Sequence, residues 1–315
     1  MKLVPKLLLV TLASLCCVLC GAQSPGYLES LVSKEKQIKD LSYLASEMTK
    51  GRASGSSGKQ IAEQYIVSRF RECSLVPFNW HFTQSFRYRD SLTIRNVIGW
   101  IPSSYPSDEY IVVSAHYDHL GEIAGKIYPG ADDNASGVAV LLSLAEAFDR
   151  MKKSGVRLGK NIIFVAFDGK ELNMCGSGYF IENLPFPKKS VVCDVNIDMI
   201  GTDLAPTGIR KDYIIEVGEE TLPQKYRGSL ENVCFTSYRI DLDQSFYGSR
   251  DFRRMFYGMS DQISFSKAGI PAVVFSSAFH QHTYKTTDKK EIINFPLMHK
   301  RTLVILRFIK MLCDN

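Results

Sequence analysis

The sequence predicts an α/β fold of three layers, a mixed, mostly parallel central sheet flanked by helices. Three observations carry this reading. From about residue 92, short β-branched runs alternate with helical stretches, the order expected of an α/β domain. The runs Ile111-Val112-Val113 and Ile162-Ile163-Phe164-Val165 are apolar on both faces, as strands covered by helices on each side must be. The chain has 315 residues, 45% hydrophobic and 23% charged, an ordinary globular composition with length enough to bury a core without disulfide or metal staples.

Residues 1–22 stand apart. Lys2 and Lys6 precede an uncharged apolar run from Leu7 to Leu19, and the small pair Gly21-Ala22 follows. This is the pattern of a secretory signal peptide, with an apolar centre too short to span a bilayer comfortably. It predicts an exported protein, periplasmic or extracellular. Cleavage after Ala22 leaves Gln23 at the new terminus, and a cut before Cys20 with lipid anchoring is the rival. No membrane span is expected in the mature chain, residues 23–315, which reads as a single domain with 23–90 as a helical part packed on it.

Within that part, Ile38, Leu41, Leu44, Ala45 and Met48 recur at helical spacing, and Ile61, Ala62, Tyr65, Ile66 and Phe70 mark a second amphipathic helix. The polar turn between them, Gly51 to Gly58, runs into Gly55-Ser56-Ser57-Gly58-Lys59. As a phosphate loop this fails: Ala53 stands where the first glycine belongs, Gln60 replaces the hydroxyl residue, and no apolar strand leads in. Strands are predicted at Thr93–Trp100, Tyr110–Ser114, Asn161–Phe167, Val191–Ile197, Tyr213–Val217 and Ala272–Phe275. Helices are predicted at Ala135–Met151, Leu222–Asn232 and Pro296–Leu312.

The net charge is +5, with no basic run of the kind that grips nucleic acid, so nucleic acid is not an expected partner. The cysteines beyond residue 22, Cys73, Cys175, Cys193, Cys234 and Cys313, are odd in number and lack CxxC spacing, which argues against a zinc ribbon or a dense disulfide scaffold. The spacing leaves room for one bridge without naming its partners. No Gly-x-Ser-x-Gly segment supports a serine hydrolase.

Open α/β sheets place ligands beyond the C-terminal ends of their strands, and four loops there carry chemistry. The first reads His116-Tyr117-Asp118-His119. Alternate residues of an extended segment share a face, so the Asp118 carboxylate can orient one His116 nitrogen while the other binds a metal. The second, Gly130-Ala131-Asp132-Asp133-Asn134-Ala135-Ser136-Gly137, delivers two carboxylates to the start of a helix, where capping is the competing explanation. The third reads Asp168-Gly169-Lys170-Glu171 and the fourth Asp198-Met199-Ile200-Gly201. Taken singly these acids are ordinary loop residues. Jointly, a histidine and several carboxylates at one end of adjacent strands make an N/O site suited to Zn²⁺ or a related divalent cation.

These motifs, with Phe167-Asp168-Gly169-x-Glu171 followed by Gly176-Ser177, Asn196-x-Asp198-Met199, the lead-in Gly51-Arg52-x-Ser54-Gly55 and the approach Gly269-Ile270-Pro271-Ala272, resemble the dinuclear zinc exopeptidases of the secreted leucyl aminopeptidase and aminopeptidase Y type, peptidase family M28. The resemblance implies the zinc exopeptidase fold, hydrolysis of N-terminal peptide bonds and a peptide as substrate or ligand. It makes His116 and Asp198 terminal ligands of one metal, Asp133 the carboxylate bridging both, Glu171 a ligand of the second, and Asp118 the residue orienting His116. In that family the glutamate just before Glu171's position takes the proton of the attacking water.

Two positions depart from the pattern. Lys170 stands where the resemblance puts the general base, and Tyr284, in Thr283-Tyr284-Lys285-Thr286-Thr287-Asp288, where it puts the last ligand histidine. His280 matches a family histidine that is not a ligand, and His282 lies two positions from the missing one. Either Lys170 gives up its proton and acts as an unusual base, or it stays charged and stands in for the second metal, paired with Asp133 and Glu171. The expectation is a single zinc held by His116, Asp133 and Asp198, a second site that is weak or empty, and low or lost peptidase activity. A silent peptide-binding protein and a single-zinc glutaminyl cyclase are the alternatives.

Overall fold

The structure, a computed structural model, describes residues 25–205, 211–245 and 248–314. The signal-peptide reading therefore falls outside the described residues. The frame is a nine-stranded mixed sheet in which β3 (Leu92–Ile101), β7 (Asn161–Phe167), β4 (Tyr110–His116), β8 (Val191–Ile197), β11 (Ala272–Ser276), β9 (Tyr213–Val217) and β10 (Asp241–Asp243) lie in that order. The short β1 (Val76–Pro77) and β2 (Thr83–Tyr88) both pair antiparallel with β3 at one margin. The centre, β7-β4-β8-β11, is parallel, and the antiparallel pairs lie outside it. A separate hairpin, β5 (Gly121–Ile123) with β6 (Lys126–Tyr128), follows the first of the four loops.

Strand alternation sorts the side chains into two cores. Ile111, Val113 and Ala115 of β4 and Ile162, Phe164 and Ala166 of β7 pack on one face, with α4 (Gly137–Lys153) and α9 (Phe295–Asp314). That face is also covered by α1 (Pro25–Leu31), α2 (Lys34–Leu44) and α3 (Ser57–Glu72). Val112, Ile163, Val165 and Phe167 point the other way, against Phe180 of α5 (Cys175–Glu182) and Phe265 of α8 (Gln262–Lys267). Two-sided burial explains why the middles of these strands are apolar on both faces; β7 has the predicted bounds and β4 runs two residues past the predicted Ser114, through His116.

The predicted helix over Leu222–Asn232 is broken. Pro223 and Gly228, the latter at φ 74°, divide it into a short 3₁₀ turn and α6 (Ser229–Asn232). Helix α7 (Arg250–Tyr257) and helices α1, α5 and α8 were not foreseen. All five described cysteines are free thiols, so no bridge forms among them.

Gly176, at the start of α5, shows how tightly the third loop is packed. A Cβ there would run into the Asp168 carbonyl oxygen and Asn96 Oδ1, while Asn96 Nδ2 donates to the Gly176 carbonyl at 2.9 Å. Gly176→Ala is expected to destabilise the fold by about 1–3 kcal/mol, the usual cost of forcing a methyl into a packed interior. Urea denaturation followed by circular dichroism measures it.

Candidate metal centre

His116 closes β4, Asp198 follows β8, and the loop 130–136, which carries Asp133, leads into α4. The parallel pairing of β4 with β7 and β8 aligns these strand ends, so residues 82 positions apart meet. His116 Nε2 lies 3.3 Å from Asp198 Oδ1 and 3.4 Å from Asp133 Oδ1. The three form one ligand-competent group, all buried. His116 Nδ1 is held by the Asp118 backbone carbonyl at 3.1 Å, nearer than the carboxylate oxygen at 3.8 Å. The Asp118 carboxylate instead accepts from the backbone N–H groups of Lys170 and Glu171, both at 3.1 Å, and so fixes the third loop. The sequence expected that carboxylate on the imidazole; β4 runs on through His116, and the turn behind it presents the carbonyl.

The loop 130–136 is hung from Asp288, whose two carboxylate oxygens accept from the Asp132 and Asp133 amides at 2.8 and 3.0 Å. Asp132 itself is no ligand. Its oxygens take the Gly201 amide at 2.6 Å and His280 Nε2 at 3.0 Å, so the fourth loop and the His280 segment are tied to the second. Arg52, fully buried, donates to the carbonyls of Leu44, Tyr117, Pro129 and Gly130 and binds the N-terminal helices to the first two loops. Lys59, from the rejected phosphate-loop segment, is also buried and pairs with Asp168 Oδ2 at 3.0 Å. Asp168 thus has a structural partner and is not an exposed loop acid.

Lys170 lies inside the site. Its Nζ is 3.2 Å from Glu171 Oε1 and 3.6 Å from Asp133 Oδ1. Burial works against its charge, but Asp133, Asp198 and Glu171 outweigh it and hold the ammonium well above the usual lysine range. Against the same burial, Lys170 foremost, with His119 and His116, holds Asp133 well below the usual carboxylate range. Tyr284 stands at the rim, its ring 5.6 Å from the Lys170 ammonium. Burial and the surrounding carboxylates push its phenol up to about 12 despite Lys170, so it is protonated near neutrality. His282 is bonded to Thr287 Oγ1 at 2.9 Å and belongs to no ligand group among the described residues.

The second histidine of the first loop had no role assigned from the sequence. His119 is buried, with Nδ1 3.8 Å from Asp133 Oδ2 and 4.0 Å from Glu171 Oε1, and these three make a second ligand-competent group. Burial, against Asp133, and then Arg52 and Lys170 depress its pKa to about 3, leaving a neutral imidazole. The signal was present, as a second histidine in the same four-residue loop. Alternation, however, puts residue 119 on the face opposite His116 and Asp118, and only the turn after β4 brings it back.

The residues fit a zinc ion. Neither Asp133 oxygen has a hydrogen-bond partner although both are buried, an arrangement that costs about 1–3 kcal/mol per group unless something binds there. The His116 group offers one imidazole and two carboxylates at mutual distances near those across one tetrahedral ion, about 3.4 Å for bonds of about 2.1 Å.

Comparison with known proteins agrees. Residues 96–309 match Peptidase family M28. Aminopeptidase YwaD of Bacillus subtilis (strain 168) is 30% identical over 186 residues, 58% of this chain and 35% of its own length. Transferrin receptor protein 2 of Homo sapiens is 33% identical over 220 residues, 65% of this chain and 25% of its own. The chain thus spans about a quarter to a third of these curated relatives. Among solved structures, a zinc aminopeptidase from Bacillus subtilis aligns at a TM-score of 0.69, with 15% identity over 89% of this chain and 95% of that one. Glutaminyl cyclase of Porphyromonas gingivalis aligns at 0.70, with 18% identity over 90% and 99%. With the match running from β3 to α9 and the four loops in order at the strand ends, the chain belongs to Peptidase family M28.

Proposed function

We propose that the protein is an exported, single-zinc member of the family that engages the free N-termini of peptides with strongly reduced hydrolytic turnover. The observation that carries this is the Lys170 ammonium, 3.2 Å from Glu171 and 3.6 Å from Asp133. A lysine ammonium has three donors and no acceptor, so it cannot take a proton from water where the family resemblance puts a glutamate.

His116, Asp133 and Asp198 would hold the zinc, which when bound supplies Lewis-acid polarisation of a carbonyl. The chain's own residues do the rest. Asp118 fixes the imidazole of His116 through its carbonyl and the third loop through its carboxylate. Lys170 balances Asp133 and Glu171. Met199, Phe256, Met259 and Phe279 wall a narrow, largely apolar cleft beside Lys170 and Asp198.

Purified protein, dialysed against metal-free buffer, is expected to retain one zinc per chain and to cleave amino-acid anilides far more slowly than ordinary aminopeptidases. Two retained zincs, or ordinary turnover, would sink the reading. A non-catalytic role is the second reading, favoured by the similarity to a receptor, Transferrin receptor protein 2. Stoichiometric binding of a peptide with no measurable turnover would select it. The length-matched glutaminyl cyclase fold is tested in the same assay with an N-terminal glutaminyl peptide.

A further inference from the structure

We infer that His119 is a metal ligand, and that with Asp133 and Glu171 it forms a weak second zinc site for which Lys170 competes. This rests on the single-zinc reading above and deepens it. The resemblance puts the last ligand at position 284, in the segment after β11, and Tyr284 offers no imidazole there. His119 offers one from the first loop. Its two ring nitrogens are buried and neither has a hydrogen-bond partner. A buried imidazole with nothing to bind is rare, because each unpaired polar group keeps its full desolvation cost.

The direction of the ring completes the argument. Nδ1 faces Asp133 Oδ2 at 3.8 Å and Glu171 Oε1 at 4.0 Å, too far for hydrogen bonds. The spacing is that of ligands on one tetrahedral ion opened by about half an ångström. The His119 backbone N–H donates to the Arg52 carbonyl at 3.2 Å, which holds the residue turned inward. Its ring lies nearly parallel to that of Tyr284, 12° between planes with centroids 6.3 Å apart, so the tyrosine covers the position without occupying it.

Lys170 Nζ sits on the same two carboxylates and must withdraw before a cation can take them. Lys170 lines the narrow cleft it shares with Met199, Met259 and Tyr284, so its withdrawal requires Tyr284 or the cleft wall to yield. The second site is therefore exchangeable, filled when free zinc is plentiful and closed by the ammonium when it is scarce.

Zinc titration by calorimetry of protein carrying its first equivalent tests this. The unsubstituted protein is expected to take up a second, weaker equivalent that dialysis removes. Lys170→Met should tighten that equivalent about tenfold or more by removing a positive charge from the site. His119→Ala should abolish it in both backgrounds, and retention of the first equivalent shows that the variant is folded. One equivalent only, in both the unsubstituted protein and Lys170→Met, overturns the inference and leaves the single-zinc reading standing. A second equivalent indifferent to His119→Ala also overturns it. No retained zinc in any of these proteins overturns both.

Discussion

The double variant Lys170→Glu, Tyr284→His is expected to hydrolyse amino-acid anilides about 10²- to 10⁴-fold faster than the unsubstituted protein, the range a positioned general base contributes. Lys170 is almost wholly buried and its backbone amide is pinned by Asp118, so a glutamate there starts from the same fixed point of the third loop. Neither substitution alone should suffice. Lys170→Glu by itself adds a carboxylate to Asp118, Asp133, Glu171 and Asp198 and leaves only the weak His119 site to hold a second cation against them. Tyr284→His by itself leaves the ammonium in place. The two changes are close enough to couple, and their effects should exceed the sum of the single ones. Steady-state kinetics of all four proteins, with metal counts, makes the comparison. A double variant that binds two zincs yet stays at the unsubstituted rate would show that something other than these positions limits turnover.

Lys59→Met is expected to cost about 3–5 kcal/mol of stability, because it leaves the Asp168 carboxylate buried without its counter-charge. Both side chains are fully buried and 3.0 Å apart. Asp168 would keep the Ser54 hydroxyl at 2.6 Å and the Arg95 amide at 2.9 Å, which satisfy lone pairs but not the charge. Adding Asp168→Asn should recover much of the loss, since the neutral amide oxygen still accepts from the Arg95 N–H while its NH2 can donate to the Ser54 hydroxyl, which turns to accept. Equilibrium denaturation of the single and double variants distinguishes this from simple loss of lysine packing, which the second substitution would not repair.

The central strands were legible because burial on both faces leaves short runs rich in β-branched and other apolar residues, broken only by single buried polar residues such as Asp194, Asn196 and Glu216. Asn161–Phe167, Val191–Ile197 and Tyr213–Val217 have the bounds the sequence predicts. Their parallel alignment also made His116, Asp133, Glu171 and Asp198 legible as a group, since ligands gather where such strands end. What the sequence hid depends on contacts between distant segments. His119 faces inward because residues 47–52 close over it, and Arg52 collects carbonyls from both sides of that turn. The short helices α5, α7 and α8 have six to eight residues each, too few turns for helical periodicity to stand out. In the stretch 222–232, apolar spacing suggested a helix that Pro223 and Gly228 do not allow.

The Lys170 ion pairs bear on how this protein is made. A buried nest of carboxylates carries mutual repulsion until a cation binds, which makes folding free energy depend on the supply of the ion. A lysine carried in the chain itself brings a counter-cation wherever the chain goes. Half of this centre is therefore self-neutralising at the moment of folding, a property suited to surroundings where zinc is contested.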